Sequence, residues 1–403
     1  MWEQIRSNQI RSAILVAGMG VLLLLLGYFL GLYFFDSAIA GLIIALIVWA
    51  LMNLVAYFQG DSILLAMAAA KKITRDDHPR LYNLVEEMKI ASGLERMPDI
   101  YIIDDPAQNA FATGRSPDKA SVAVTSGLLQ KLNRDELQGV IGHEIAHIRN
   151  RDVLLMSMAG IILGTVVILA WYATRILFFS GMGGGRRSSR SGGGQGQIII
   201  LAIGIVLMIL APIAAQLLYF AISRKREYLA DASSALYTRY PEGLASALEK
   251  IAASTNQLKS ANKATAPMYT VNPFREKGMP ASDLTSTHPP ISQRIRILRA
   301  MAGASVADYE RAYRQVKGRG SVIPASTLAG GGSLTLRSPT VELEPAEDST
   351  ERIRRTRDTS ELMWRLENYK TVTCDCGTKL RVPPKFRDTW VKCPHCGRVN
   401  QLQ

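Results

Sequence analysis

Two scales of apolar patterning alternate along this chain. Unbroken apolar runs cover "AILVAGMGVLLLLLGYFLGLYFF" from Ala13 and "AIAGLIIALIVWALMNLVAYF" from Ala38, and two more cover residues 153–179 and 198–222. Each reaches the ~20 residues with which an α-helix crosses about 30 Å of hydrocarbon. None carries a charge in its central part. Four such runs would demand an improbably large core in a soluble protein, so they predict four transmembrane helices. The first run is too long for the core of a signal peptide, and a second span follows almost at once. Arg6, Arg11 and "SAIAG" therefore read as flank and turn of an uncleaved span.

Between and after these runs the period shortens. "HPRLYNLVEEMKIASGL", "NRDELQGVIGHEIAHIRNRD", "PEGLASALEKIAAS" and "ISQRIRILRAM" read as helices, and "SRKREYLADASSALY" continues the fourth run as helix. "DIYIIDD" and "ASVAVTSGLL", around the turn-rich "GRSPDK", read as two short strands. Asn133 is placed as an N-cap, with Glu136 three residues on completing a capping box. The "GHEIAHIRNRD" helix is expected to run on into the membrane near Val153. From Ser326 the chain turns to Gly, Ser, Thr, Pro and mixed charge, the composition of a linker that buries no core.

Charge bears on orientation. Arg6, Arg11, Lys71, Lys72, Arg75, Arg149, Arg151, Arg224, Lys225 and Arg226 fall on one side of the four spans. By the positive-inside rule that side is cytoplasmic. Arg186, Arg187 and Arg190, in a Gly/Ser-rich loop on the other side, run against the rule without reversing the count. Topology thus accounts for most of the net charge of +13, and no nucleic-acid partner is expected.

The chain holds five histidines, and two stand in His143-Glu144-x-x-His147. That spacing puts two imidazoles on one helix face, one turn apart, where they converge on a single zinc ion. Glu144 lies about 100° around the helix from His143, suited to serve as general base toward a metal-bound water. A third ligand must come from the same side of the membrane. Glu227 follows the fourth span as His147 precedes the third, and Asp231 one turn on is placed to orient a ligand imidazole. Spacing alone leaves open that both acids pair with Arg224 and Arg226 on a solvated face.

Four cysteines close the chain: Cys374 and Cys376 as C-x-C, then Cys393 and Cys396 as C-P-x-C-G, sixteen residues apart. The spacing suits a zinc ribbon with one structural zinc, and a reducing compartment disfavours disulfides. His395 is a weaker substitute ligand. Self-association or adaptor docking through this module fits equally well.

"GHEIAHIRNRD", "SRKREYLADA" and "THPPISQRI", in this order with four spans, resemble the HtpX family of membrane zinc metalloproteases, and more distantly the CAAX prenyl proteases. The likeness covers residues 1–305. It implies a mainly α integral membrane protein: four transmembrane helices, a cytoplasmic α+β zincin-like catalytic domain with a small edge-strand sheet, and here an added zinc ribbon. It implies a catalytic zinc on His143, His147 and Glu227, with Glu144 as base and Asp231 as an outer partner. His288 would stabilise the oxyanion with Arg294 as support. Asn109, Ala110 and Phe111 of "NAFATG" would be the edge strand that pairs with substrate. On this reading residues 1–59 are two spans, 60–152 the first catalytic segment, 153–222 two spans and their loop, 223–322 the second catalytic segment, 323–368 a flexible linker and 369–403 the ribbon. The expected activity is endopeptidase action on misfolded membrane or cytoplasmic polypeptides at a bacterial inner membrane, with catalytic domain and C-terminus facing the cytoplasm. A catalytically silent scaffold, which would not need Glu144, and CAAX processing, whose branch has more spans, are the alternatives.

Overall fold

The computed structural model describes residues 2–154, 225–254, 288–318, 334–340 and 349–402, with isolated positions between these segments. Most of the third and fourth apolar runs, with their Gly/Ser/Arg loop, lies outside the described residues.

Helices α1 (Trp2–Phe35) and α2 (Ala38–Met67) form an antiparallel hairpin. Asp36 takes a left-handed φ of 54°, and the Ser37 side chain caps α2 by accepting from Ala40 N. Glycines set the crossing. A Cβ on Gly31 would lie 2.5 Å from Gly41 Cα, and one on Gly27 would lie 2.4 Å from Ala45 Cβ. Small residues at such a crossing let helix backbones approach closely where lipid supplies no hydrophobic drive between helices. Ile39, Ile43, Ile47, Leu51 and Leu54 project outward from α2 and are exposed. A helix of 30 residues whose most apolar 18-residue stretch has a mean hydropathy of 2.5, with an uncovered surface, is long enough to span a bilayer. It is the one such helix among the described residues, and residues 16–32 form a shorter apolar stretch within α1.

α2 runs through Gln59 and Asp61 without a break, and its last turns dock on a four-stranded sheet. The strands are β1 (Lys71–Ile73), β2 (Asp99–Ile103), β3 (Ala110–Ser116) and β4 (Lys119–Thr125), in the spatial order β1-β2-β4-β3. Among the described residues β3 pairs with β4 alone and is therefore an edge. Gly114, at φ +139°, sits at the register shift of that hairpin, where a Cβ would meet Lys119 O at 2.3 Å. The strands expected at "DIYIIDD" and "ASVAVTSGLL" are β2 and β4, but "SGLL" turns helical as α4 (Ser126–Lys131). The reason is local: the Thr125 hydroxyl caps α4 by accepting from Leu128 N.

On one side of the sheet lie α3 (Pro79–Ser92), α5 (Arg134–Arg149), α6 (225–238), α7 (Pro241–Ala253), α8 (Ile291–Arg299) and α9 (Val306–Lys317), around one apolar core. α5 is at its centre and buries every residue from Asp135 to Ile148. The capping box expected of Asn133 and Glu136 is present in both directions.

Two parts of 323–368 differ from the expected flexible linker. Residues 334–340 are tied to the surface of the helical domain, with Arg337 N donating to Arg239 O and Thr340 N to Asp135 Oδ2. Residues Ser349–Leu366 form α10, an 18-residue helix that buries Arg355, Thr359, Leu362 and Met363 against α4. Its apolar positions are too few to stand out by composition, and tertiary packing stabilises it instead. The C-terminal module follows as two hairpins, β5 (Lys370–Thr373) with β6 (Lys379–Val382) and β7 (Trp390–Lys392) with β8 (Val399–Gln401).

Candidate metal centre

α5 brings His143 and His147 to one face, their Nε2 atoms 3.2 Å apart. α6 lies alongside, tied by Ser234 Oγ, which donates to Gly139 O at 2.7 Å. That packing sets Glu227 opposite the imidazoles: Oε2 is 3.5 Å from His143 Nε2 and Oε1 is 3.5 Å from His147 Nε2. All three side chains are buried, and their ligand atoms lie within 4.8 Å of one another.

The outer nitrogen of each imidazole meets a carboxylate. Asp231 Oδ1 stands 3.0 Å from His143 Nδ1, and Asp152 Oδ2 stands 3.3 Å from His147 Nδ1. Protons on the Nδ1 atoms leave two Nε2 lone pairs facing each other and a carboxylate. Such an arrangement is repulsive without a cation between its members. Bonds of about 2.0–2.1 Å to nitrogen or oxygen at tetrahedral angles give edges of about 3.3 Å. The observed separations match that figure, and among the described residues Glu227 Oε2 is buried without a hydrogen bond. The donor set therefore fits zinc, with His143, His147 and Glu227 as the residues that would hold it.

Charge around the site is balanced by contact. Burial works against the charge on Glu227, yet the site as a whole holds its pKa well below the usual carboxylate value, with the Arg294 guanidinium 3.4 Å from Oε2. Burial also works against the charge on Arg294, but Asp231 and Glu227 outweigh it and raise its pKa above the ordinary guanidinium value. Arg294, from α8, grips Asp231 through Nε (2.8 Å) and Nη2 (2.7 Å) and lies 3.4 Å from Glu227 Oε2. Tyr309, from α9, sets its hydroxyl 3.5 Å from Asp231 Oδ2. His288 Nε2 is 3.7 Å from Glu227 Oε2, and burial pushes its pKa down to about 4 despite Glu227. At neutral pH it is an uncharged imidazole with one N–H to donate.

Glu144 is buried one position on from His143, and its Oε1 accepts from the Thr270 hydroxyl at 2.7 Å. The same hydroxyl lies 3.0 Å from Ala110 O, so the acid sits a residue's width from the sheet edge. Asn109 precedes β3 and turns its Oδ1 onto Ala110 N, while Phe111 is buried among Leu64, Leu65 and Tyr269.

Asp152, Thr270 and Tyr309 were not expected from the sequence. Asp152 reaches His147 because α5 ends at Arg149 and Arg151 takes a left-handed φ of 58°. The expected uninterrupted helix into the membrane is thereby corrected: helix resumes at Asp152, after a break that turns its side chain back.

At the far end, Cys374, Cys376, Cys393 and Cys396 converge with all sulfurs within 4.8 Å, and all four are free thiols. Cys374 and Cys396 approach to 3.5 Å, Cys376 and Cys393 to 3.7 Å. Zinc–sulfur bonds of about 2.3 Å give tetrahedral edges of about 3.8 Å, so this set also fits zinc. C-x-C suffices because Gly377 and Gly397, at φ 84° and 77°, turn each knuckle tightly. The Thr378 hydroxyl and backbone lower the Cys376 thiol to about 5.

Known proteins resemble this chain over much of its length. The model of peptidase family M48 matches residues 75–302. A protease HtpX homolog of Dictyoglomus turgidum is 45% identical over 300 residues, 74% of this chain and 94% of that one. The homolog of Thermoanaerobacter pseudethanolicus is 41% identical over 301 residues, 75% and 98% of the two chains. Among solved structures, S. mikatae Ste24p aligns over 73% of this chain and 66% of its own at 20% identity, with a TM-score of 0.37. With the family model covering more than half of its length and relatives matched almost end to end, the chain belongs to peptidase family M48, alongside the HtpX proteases.

Proposed function

We propose that the protein is a membrane-bound zinc endopeptidase that cleaves extended segments of membrane or cytoplasmic polypeptides. The observation that carries this reading is the single Thr270 hydroxyl that touches both Glu144 and Ala110. It puts a candidate base, a convergent ligand set and the β3 edge within one substrate residue of each other. An edge strand takes an extended peptide by main-chain hydrogen bonds, which suits cleavage at many sequences.

Zinc held by His143, His147 and Glu227 would polarise the scissile carbonyl and acidify a bound water. Glu144 takes the water proton and returns it to the departing nitrogen. His288, neutral and buried, donates its N–H to the developing oxyanion, a contribution of about 2–4 kcal/mol for a well-placed donor. Asp231 and Asp152 keep the two imidazoles in the tautomer that presents Nε2. Arg294 fixes Asp231 and offsets the negative charge of two carboxylates.

The further reading is four spans in a bacterial inner membrane, with catalytic domain and tail facing the cytoplasm. A second, structural zinc would sit in the Cys374–Cys396 module, which would serve self-association or an adaptor. The basic flanks at Lys71, Lys72, Arg149 and Arg151 support the orientation.

The test compares casein cleavage by the detergent-solubilised protein and by Glu144→Gln, each with and without chelator. Loss of about 10³-fold or more in kcat, with zinc still bound, is expected for a missing general base on this reaction. Equal activity of the two proteins would end the assignment.

A further inference from the structure

Thr270 is held in the site by each of its polar groups. Its N–H donates to Ala110 O at 2.9 Å, and its carbonyl accepts from Arg294 Nη1 at 3.2 Å. Its hydroxyl lies between Glu144 Oε1 and Ala110 O. A hydroxyl has one proton to give. The Ala110 carbonyl is already engaged by the Thr270 N–H and the carboxylate is the stronger acceptor, so the proton goes to Glu144. Tyr269, fully buried, stacks edge-to-face on Phe111 with ring centroids 5.2 Å apart.

These are the groups that an incoming peptide needs. Asn109 O is bonded inward to Thr125 N, so the alternation of an antiparallel strand turns the Ala110 main-chain groups outward, to the open edge. A strand added at that edge would place an N–H on Ala110 O and a side chain beside Phe111. Thr270 and Tyr269 do both. The Thr270 carbonyl also meets the guanidinium nearest the ligand set, where a substrate carbonyl would be drawn.

We propose that Tyr269–Thr270 is an internal occupant of the substrate edge, bonded to β3 as a substrate residue is bonded, so that the resting protein is occluded and a polypeptide binds by displacing it. This rests on β3 being the substrate edge and Glu144 the base. An internal competitor lowers apparent affinity in proportion to the fraction of chains whose edge is free, and leaves the step after displacement unchanged. It therefore acts on KM and not on kcat.

The experiment uses the full chain in detergent with Thr270→Val, which is isosteric and loses the hydroxyl, and Thr270→Ser, which keeps it. Loss of one hydrogen bond to a charged group predicts a KM for casein about 10-fold lower in Thr270→Val, with kcat unchanged. Thr270→Ser should match wild type. A fall in kcat in Thr270→Val, restored in Thr270→Ser, would make the hydroxyl a positioning group for Glu144 and overturn occlusion. Unchanged KM would overturn it too. A second readout needs no turnover: fluorescence anisotropy of a fluorescein-labelled casein fragment on Glu144→Gln protein, with and without Thr270→Val. Several-fold tighter binding with Thr270→Val supports the occupant, and equal Kd removes it. Absence of chelator-sensitive cleavage in wild type would instead strike the peptidase reading, leaving the binding result to decide this one.

Discussion

His147 Nδ1 lies 3.3 Å from Oδ2 of Asp152, five residues along the chain. On a continuous helix that spacing would turn the two side chains about 140° apart. The left-handed Arg151 breaks the helix and brings the carboxylate back, and Arg226, next to Glu227, stands 3.8 Å behind it. The break thus serves the ligand set by giving His147 the carboxylate partner that Asp231 gives His143.

Removing the charge of Asp152 should weaken metal binding without unfolding the chain. Asp152→Asn keeps the volume and an acceptor for the imidazole N–H. Outer carboxylates of this kind support metal affinity by about 10–100-fold. Zinc retention against a competing chelator should drop within that range, with helical circular dichroism unchanged. Retention equal to wild type would limit Asp152 to its contact with Arg226.

The contrast between Asp231 and Asp152 shows how far the sequence could be read. Glu227 and Asp231 are one turn apart on an unbroken helix, so periodicity aligns both with a partner once the HExxH helix is placed. The capping box at Asn133 and Glu136 was legible for the same reason: its contacts are local and have a fixed spacing. Asp152 depends on one backbone torsion at a non-glycine residue, which leaves no periodic trace. Thr270 depends on a contact across 126 residues with no motif around it. α10 escaped because its buried face includes Arg355 and Thr359, which composition scores as solvated.

His78 ties stability to pH. Its Nδ1 accepts from Leu81 N at 3.1 Å as the N-cap of α3, so the cap requires an unprotonated nitrogen. Burial and the neighbouring Arg80 both hold its pKa below the ordinary imidazole value. The unfolded chain takes up a proton near pH 6.5 that the folded chain refuses. Stability is therefore complete above that pH and falls as pH drops through and below it. His78→Asn keeps a capping acceptor and removes the titration. Melting midpoints measured from about pH 7.5 to 5.5 should decline less steeply in the variant. Parallel curves would show that other groups set the acid limb.

Gly139 faces the backbone of α7. A Cβ there would lie 2.6 Å from Leu244 N and 2.8 Å from Leu244 Cα, while one on Gly243 would lie 2.6 Å from Asp135 O. Backbone cannot rotate away as a side chain can, so α5 and α7 must separate to admit a methyl group. Gly139→Ala should cost about 1–3 kcal/mol, as overpacking does, in spite of its better helix propensity. Because Ser234 bonds the Gly139 carbonyl, the shift also moves α6 relative to α5. Zinc affinity should fall together with the melting midpoint. A variant as stable as wild type would mean that the helices crossed less tightly than these contacts require.

The cysteine module gives a metal count that separates it from the HExxH site. Cys393 is buried with Cys374 and Leu380 in the module's own small core, and the module follows α10 in the chain. α10 is held to the rest by Lys71 Nζ, which donates to Leu366 O, and by Arg365 Nη2, which donates to Asp77 O. Neither bond involves a cysteine. Purified protein should carry two zinc ions per chain by elemental analysis, Cys393→Ser one, and Glu144→Gln two. A domain this small draws most of its folding free energy from its metal, so amide exchange across residues 370–401 should become fast in Cys393→Ser while α5 stays protected. Retention of two zinc ions in Cys393→Ser would show that three thiolates and His395 suffice. One zinc ion in wild type, unaffected by the substitution, would remove the second metal altogether.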